Sequence, residues 1–80
     1  MTNKTKKDLK FRKAICKRIR SLRRMKDISQ ESIAFDIGSN SQSYISEVEN
    51  GKINISLDTL GKFLKILDVS VKEFFDGIKE

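Results

Sequence analysis

The segment GSNSQSYISEVENG, residues 38–51, has the polar start, the apolar spacing and the glycine end of a short helix. Its amide, hydroxyl and carboxylate side chains are of the types that read base edges in the major groove of DNA. The same segment contains two glutamates and neither lysine nor arginine. Its own charge would repel a polyanion, so affinity for DNA has to come from other parts of the chain.

The chain offers few groups for catalysis or for metal binding. It has no histidine and one cysteine, Cys16, which excludes a zinc cluster and an internal disulfide. No nucleophile–base pair or phosphate-binding loop is present, and a chain this short, which buries about 60% of its unfolded surface, has little room for an active-site cavity. We therefore expect no enzyme, no metal or cofactor and no small-molecule substrate, and we interpret Cys16 as a small helix residue without chemistry.

The positive charge is concentrated in the first third of the chain. Residues 1–26 hold twelve Lys/Arg against Asp8, a net charge of 12 − 1 = +11, whereas residues 27–80 hold five lysines against ten acids, or −5. Such a concentration of positive charge is typical of nucleic-acid-binding domains, although a solvated helix face is the alternative. We expect residues 1–8 to be a basic flexible arm, with Lys4, Lys6 and Lys7, and residues 9–80 to form one domain.

The sequence indicates a soluble, cytoplasmic protein. No stretch approaches the ~18 apolar residues of a membrane span, and the basic N-terminus is not followed by an apolar run of signal-peptide length. A basic helix 1 lying on an acidic membrane is a weaker alternative, because the core needs its apolar stripe.

The apolar residues recur with a helical period along the chain. Phe11, Ile15, Ile19 and Leu22 follow the i, i+4, i+8, i+11 spacing of one stripe, which predicts helix 1 over about residues 9–26. Four serines are suited to begin the later helices as N-caps: Ser29, Ser41, Ser56 and Ser70. The helices after them read QESIAFDI, QSYISEVEN, LDTLGKFLKIL and VKEFFDGI. The sequence therefore predicts an all-α fold, a compact five-helix bundle.

The second and third helices have the layout of a helix-turn-helix. In this arrangement the later helix enters the major groove by its N-terminal end, while the earlier helix crosses the DNA backbone. Ala34 is small where the two helices approach each other, and Gly38 begins the turn. Ile45 and Val48 anchor the later helix to the core, which leaves its opposite face free for a partner.

At these residues the sequence resembles the phage-repressor-like helix-turn-helix regulators, also named the Xre or Cro/CI family. The similarity extends from about Ile19 to Phe75, through IRSLRRMKDISQESIA, SYISEVENGK and NISLDTLGKFLKILDVSVKEFF. The resemblance implies a lambda-repressor-like DNA-binding domain. It also implies a sequence-specific transcriptional regulator that reads an operator on double-stranded DNA with helix 3.

The resemblance also implies roles for individual side chains. A glutamine that opens helix 2 touches phosphate and braces a second glutamine, which pairs with adenine; these positions match Gln30 and Gln42. An amide carries a donor and an acceptor, as adenine N7 and N6 require. The base-reading residues expected are Gln42, Ser43, Ser46 and Glu47. Glu49 is expected to pair with an arginine of helix 1.

One feature departs from the family pattern. Family members usually have six residues from the turn glycine to the first apolar anchor of helix 3, whereas Gly38 to Ile45 is seven. The relative position of Gln30 and Gln42 depends on this turn.

Phosphate contacts are expected from backbone N–H groups at the starts of helices 2 and 3 and from side chains on several elements. Those side chains are Gln30, Arg20, Arg23, Arg24, Lys26, Tyr44, Lys52 and Asn54. Tyr44 is expected to be mainly a core residue, with only its hydroxyl available to a phosphate.

The C-terminal residues carry more apolar surface than a short last helix needs. We predict that Val71, Phe74, Phe75 and Ile78, with part of helix 4, form a homodimer contact that pairs two half-sites. Restriction–modification controllers, small phage repressors and antitoxin-type regulators all fit a domain of this size, with the controllers slightly favoured. The alternative from another class is an adaptor, in which the acidic surface of helices 2 and 3 binds a protein instead of DNA.

Overall fold

The computed structural model describes residues 2–39 and 41–78, with side chains from Leu9 onward, and contains only helices in that part of the chain. The helices are α1 Thr2–Met25, α2 Gln30–Ile37, α3 Gln42–Glu49, α4 Leu57–Leu67 and α5 Val71–Asp76. The all-α, five-helix prediction is confirmed. Asn40, which the sequence assigns to the turn before α3, lies outside the described residues.

Helix α1 begins at Thr2 rather than near Leu9. The intervening residues, TNKTKKD, contain neither proline nor glycine, and lysine is a good helix former, so nothing local stops the helix from extending. The segment predicted to be a basic arm is thus continuous with α1. Its contact with DNA stays a prediction.

Each of the last four helices starts at the serine that the sequence selects. The hydroxyl oxygens of Ser29, Ser41, Ser56 and Ser70 accept backbone N–H groups three residues on, at 3.0, 3.3, 3.0 and 3.0 Å. At α5 the Glu73 carboxylate also accepts the backbone N–H of Ser70 at 3.3 Å, which completes a capping box. Local hydrogen bonding therefore sets where these short helices begin.

Four helix ends use the left-handed backbone conformation, and after α3 the residue that adopts it is Gly51, at φ +73°. Gly38 ends α2 at φ +87°, as predicted, and its N–H donates to the carbonyls of Ala34 and Phe35. Asp27, just after α1, and Asp68, which ends α4, adopt φ of +57° and +56°. Aspartate tolerates this region better than most residues, although the sequence pattern did not identify these two ends.

One hydrophobic core joins all five helices. Its fully buried side chains include Ile19 of α1, Ile33 of α2, Ile45 and Val48 of α3, Phe63 and Leu67 of α4, and Phe74 of α5. Cys16 is buried beside this core, as its interpretation as a small helix residue requires. None of the described helices is long and apolar enough to cross a membrane. The core holds α3 by one face, so that the opposite face points outward.

The fold corrects one part of the predicted dimer contact. Phe74 is 0% exposed and belongs to the core, whereas the neighbouring Phe75 is 41% exposed. The reason is the docking of α5 on α1: the Arg18 guanidinium donates to the carbonyls of Glu73 and Phe74, both at 2.9 Å. With its ring fully buried in the monomer, Phe74 is unavailable to a second chain.

Replacing Phe74 by alanine should lower the free energy of unfolding by about 3–5 kcal/mol, because it removes a fully buried ring and leaves a cavity. Phe35→Ala is the matched control, since Phe35 is 74% exposed and its loss should change stability by less than about 0.5 kcal/mol. Denaturant unfolding followed by circular dichroism measures both. Equal losses for the two variants would contradict the assignment of Phe74 to the core.

Candidate nucleic-acid interface

Helices α2 and α3 form a helix-turn-helix whose two N-terminal residues touch. The Gln42 side-chain nitrogen Nε2 donates to Gln30 Oε1 at 3.2 Å. The longer turn between Gly38 and Ile45 is thus absorbed without separating the two glutamines. Within the turn, the Ser39 hydroxyl donates to the Ser41 carbonyl at 3.4 Å.

A second set of contacts lies behind the glutamine pair. Gln30 Nε2 donates to Glu49 Oε1 at 3.0 Å. Arg23 holds the same carboxylate from the other side, with Nε 2.6 Å from Oε2 and Nη2 3.2 Å from Oε1. The predicted pairing of Glu49 with an arginine of α1 is confirmed. Arg23, Glu49, Gln30 and Gln42 therefore form one continuous chain of hydrogen bonds, which we name the amide relay.

Arg23 has a different position from the one that a phosphate contact needs. It is 8% exposed, and its remaining nitrogen Nη1 donates to the Ile28 carbonyl at 2.7 Å. With all three guanidinium nitrogens engaged inside the protein, Arg23 joins α1 to α3 instead of facing DNA. The prediction of Arg23 as a phosphate contact is corrected on this ground.

The base-reading candidates on α3 differ in how far their side chains are exposed to solvent. Gln42, Ser43 and Glu47 are exposed, while Ser46 is half-buried and its hydroxyl lies 3.5 Å from Asn50 Nδ2. Tyr44 is half-buried against the core, as expected from its spacing with Ile45. The exposed side of α3 therefore presents one amide, one hydroxyl and one carboxylate.

The exposed cations of α1 lie on one side of the helix. At 3.6 residues per turn, five of them fall within a sector of about 80°. They are Lys10, Lys13, Lys17, Arg20 and Arg24, and we name them the basic stripe. Sequence reasoning selected Arg20 and Arg24 for phosphate contact but omitted the three lysines, although the alternating three- and four-residue spacing of the five cations was the signal that could have found them. Lys26 is exposed just beyond α1.

The loop after α3 lies beside the basic stripe. A Cβ on Gly51 would lie 3.1 Å from Lys13 Cγ, so the stripe passes the C-terminal end of α3. Lys52 and Asn54 are exposed in this loop, and the Arg12 side chain donates to Asn54 Oδ1. The side-chain oxygen of Asn54 is therefore tied to α1.

The Cys16 thiol is free and buried on the inner side of α1. Burial raises the pKa of its thiol, while the nearby Arg12 guanidinium acts in the opposite direction to a smaller extent. A raised thiol pKa leaves little thiolate at neutral pH, and the thiolate is the reactive form. Among the described residues no cluster of acids and cysteine has the arrangement of a metal site.

An apolar groove of about 300 Å³ lies on another side of the molecule, between α1, the loop before α4, α4 and α5. Its rim includes Phe11, Leu57 and Phe75, which are 57%, 86% and 41% exposed. No residue of α2 or α3 lines it. The groove and the helix-turn-helix are thus separate surfaces.

The amino-acid sequence is similar to a known protein family and to two known proteins. The family model described as helix-turn-helix matches residues 19–74. The chain is 39% identical over 64 residues to the control protein C.MunI of Mycoplasma sp, which covers 79% of this chain and 85% of the relative. It is 38% identical over 60 residues to the control protein C.BamHI of Bacillus amyloliquefaciens, covering 74% and 73% of the two chains.

Replacing Arg23 by alanine should cost about 3–5 kcal/mol of unfolding free energy, because it leaves the Glu49 carboxylate buried without its cation. Arg24→Ala is the matched control: Arg24 is the next residue of the helix, is exposed, and should change stability by less than about 0.5 kcal/mol. Thermal unfolding of the free protein measures the difference. If Arg23→Ala proved as stable as Arg24→Ala, the buried pair would not hold α1 and α3 together.

Proposed function

This chain belongs to the helix-turn-helix family of DNA-binding transcriptional regulators, and we propose that it reads an operator by laying α3 in the major groove. The observation that carries the proposal is the Gln30–Gln42 contact at the shared N-terminal end of α2 and α3. It fixes an exposed amide where the recognition helix of this motif enters the groove.

The side chains of α3 divide the reading of bases. Gln42 presents an acceptor and a donor, which match adenine N6 and N7, and Glu47 presents acceptors for cytosine N4. Ser43 is exposed next to Gln42, and its hydroxyl can donate or accept a hydrogen bond, whereas Ser46 is half-buried and has less surface to offer a base. Specificity in this proposal comes mainly from Gln42, Ser43 and Glu47.

Phosphate contacts come from outside the acidic unit formed by α2 and α3. The serine-capped starts of these helices point backbone N–H groups and the positive end of the helix dipole at the DNA. The basic stripe of α1 and the following loop add cations on the same molecule. The residues proposed for this role are Gln30, Arg20, Arg24, Lys26, Tyr44, Lys52 and Asn54, together with the stripe lysines.

The protein acts as a homodimer in this proposal, with a contact surface different from the one the sequence suggested. Phe75 and Val71 keep their exposed positions on α5, and Ile78 packs partly against the core. Of these three residues only Phe75 lines the apolar groove, together with Phe11 and Leu57, and a second copy would cover that groove. The pairing places two recognition helices on half-sites about one helical turn apart.

Its biological role is that of a regulator rather than a catalyst, working in the cytoplasm. The likeness to two proteins whose names describe them as control proteins favours the restriction–modification controller subtype over the phage-repressor and antitoxin subtypes.

Gln42→Ala should weaken binding to the cognate operator by about 1–3 kcal/mol and relax discrimination at one base pair, because the bidentate contact to that base is lost. Arg24→Ala should instead weaken cognate and random DNA alike and reduce the slope of log affinity against log salt by about 1. Fluorescence anisotropy over a salt series distinguishes the two. Equal loss on both DNAs for Gln42→Ala would show that Gln42 does not read a base.

Leu57→Ser should shift the protein from dimer toward monomer, because Leu57 is 86% exposed on the rim of the groove and contributes little to the folded monomer. Phe35→Ser, a change of a large exposed apolar residue outside the groove, should leave the dimer intact. Sedimentation equilibrium at micromolar concentration measures both. A wild-type protein that stays monomeric under these conditions would refute the homodimer.

A further inference from the structure

We propose that the buried Arg23–Glu49 pair sets the direction of the Gln42 amide and thereby selects adenine over guanine at the base pair that Gln42 contacts. The inference rests on the proposed function, in which Gln42 reads a base. It assigns a positioning role to Arg23 and Glu49, two residues that themselves face the protein interior.

The direction of the amide relay follows from donor and acceptor chemistry. A carboxylate only accepts hydrogen bonds, so the atom of Gln30 that faces Glu49 has to be its nitrogen. The oxygen of Gln30 then faces Gln42, so Gln42 has to donate a hydrogen bond to it from its own side-chain nitrogen. The contacts of 3.0 and 3.2 Å agree with this order at both steps. Each amide has one allowed direction once Glu49 is in place.

The start of the relay is held rigidly. The side chain of Glu49 is 2% exposed and the side chain of Arg23 is 10% exposed, so water does not replace either partner of the ion pair. The guanidinium cannot turn to another acceptor, because its third nitrogen is bound to the Ile28 carbonyl. Arginine carries donors only, which leaves the carboxylate as the acceptor end of the relay.

The direction of Gln42 decides what it offers to DNA. After one N–H has been donated to Gln30, the amide keeps one N–H and its carbonyl oxygen. That pattern matches adenine, which presents the N7 acceptor and the N6 donor in the major groove. A reversed amide would offer two N–H groups, and guanine presents two acceptors there, N7 and O6. The relay thus separates the two purines without any contact between Glu49 and DNA.

Glu49→Gln is the change that should reverse the relay. The oxygen of the new amide keeps the short 2.6 Å contact with Arg23 Nε, since a nitrogen there would place two donors together. The new nitrogen takes the position of Oε1, where it opposes the donor Nη2 of Arg23 at 3.2 Å instead of Nε at 2.6 Å, and where Gln30 lies 3.0 Å away. It donates to Gln30, so Gln30 turns over, and Gln42 turns over in response.

Combining Glu49→Gln with Gln30→Glu should restore the original direction. The carboxylate now at position 30 accepts from the amide at position 49 and also from Gln42 Nε2. Gln42 again presents its oxygen to the base. The double variant exchanges one amide and one carboxylate, so its net charge equals that of the wild type.

The experiment selects bound duplexes from a random DNA pool with the full-length wild type, Gln42→Ala, Glu49→Gln and the double variant. Gln42→Ala identifies the position at which discrimination depends on Gln42. At that position the wild type should prefer adenine, Glu49→Gln should lower the adenine-to-guanine ratio by about tenfold or more, and the double variant should recover it. Circular dichroism confirms that each variant is folded.

Gln30→Met gives an independent test that does not disturb the buried pair. Without the relay the Gln42 amide turns freely, so adenine and guanine should be bound within about twofold of each other at the same position. A Gln30 that only touched phosphate would weaken all sites equally and leave the ratio unchanged.

Two failures are distinguishable. If Gln42→Ala altered discrimination at no position, the proposed base reading by Gln42 would be wrong. If Gln42→Ala flattened one position but Glu49→Gln and Gln30→Met left the purine ratio there unchanged, base reading would stand and the relay would be refuted. If Glu49→Gln lowered the affinity for every sequence by the same factor, the Arg23–Glu49 pair would have a purely structural role and the relay would likewise be refuted.

Discussion

The buried pair of Arg23 and Glu49 is the contact on which the geometry of the site depends. Helix α3 has eight residues, which is too short for a stable helix in water, so its position is imposed by the rest of the protein. Ile45 and Val48 fix one face in the core, and Glu49 ties the C-terminal end to α1. A buried ion pair adds little net stability compared with apolar residues, but it defines one arrangement of its helices, since removing either partner is costly. The rotation of α3, and therefore the identity of its exposed residues, follows from this constraint.

Affinity and discrimination are placed on different elements. Between Asp27 and Gly51 the chain carries five acids and no base, so the surface of α2 and α3 contributes little to non-specific attraction. In the proposed function helix α1 supplies that attraction through the basic stripe, while its opposite side builds the core with Ile15 and Ile19. Because attraction to phosphate does not depend on sequence, this separation lets the cations be changed without altering base reading. The two functions meet at Arg23, an arginine of the basic helix that is turned inward to support α3.

Local signals predicted much of this fold, and tertiary packing decided the rest. The serine N-caps and Gly38 act within a few residues, which explains why the starts of α2 to α5 could be read from the sequence. Phe74 and Phe75 are adjacent and both apolar, so only the docking of α5 on Arg18 distinguishes the core residue from the exposed one. Arg23 lies four residues after the buried Ile19, and that spacing was the available sign that it faces inward. The Gln30–Gln42 contact depends on side-chain reach across a longer turn, a property that residue spacing alone does not define.

The shape of a glutamine amide explains why the site needs a charged anchor. Its oxygen and nitrogen are nearly identical in size, so steric packing does not select between the two directions that Gln42 can adopt. A difference has to come from a group that only accepts or only donates. A carboxylate and a guanidinium are such groups, and burial prevents water, which both accepts and donates, from taking their place. Gln30, an amide itself, transmits the direction but cannot set it. Burying Arg23 and Glu49 costs free energy, but the pair defines the direction of the Gln42 amide. A purely apolar contact between α1 and α3 would leave that direction undefined.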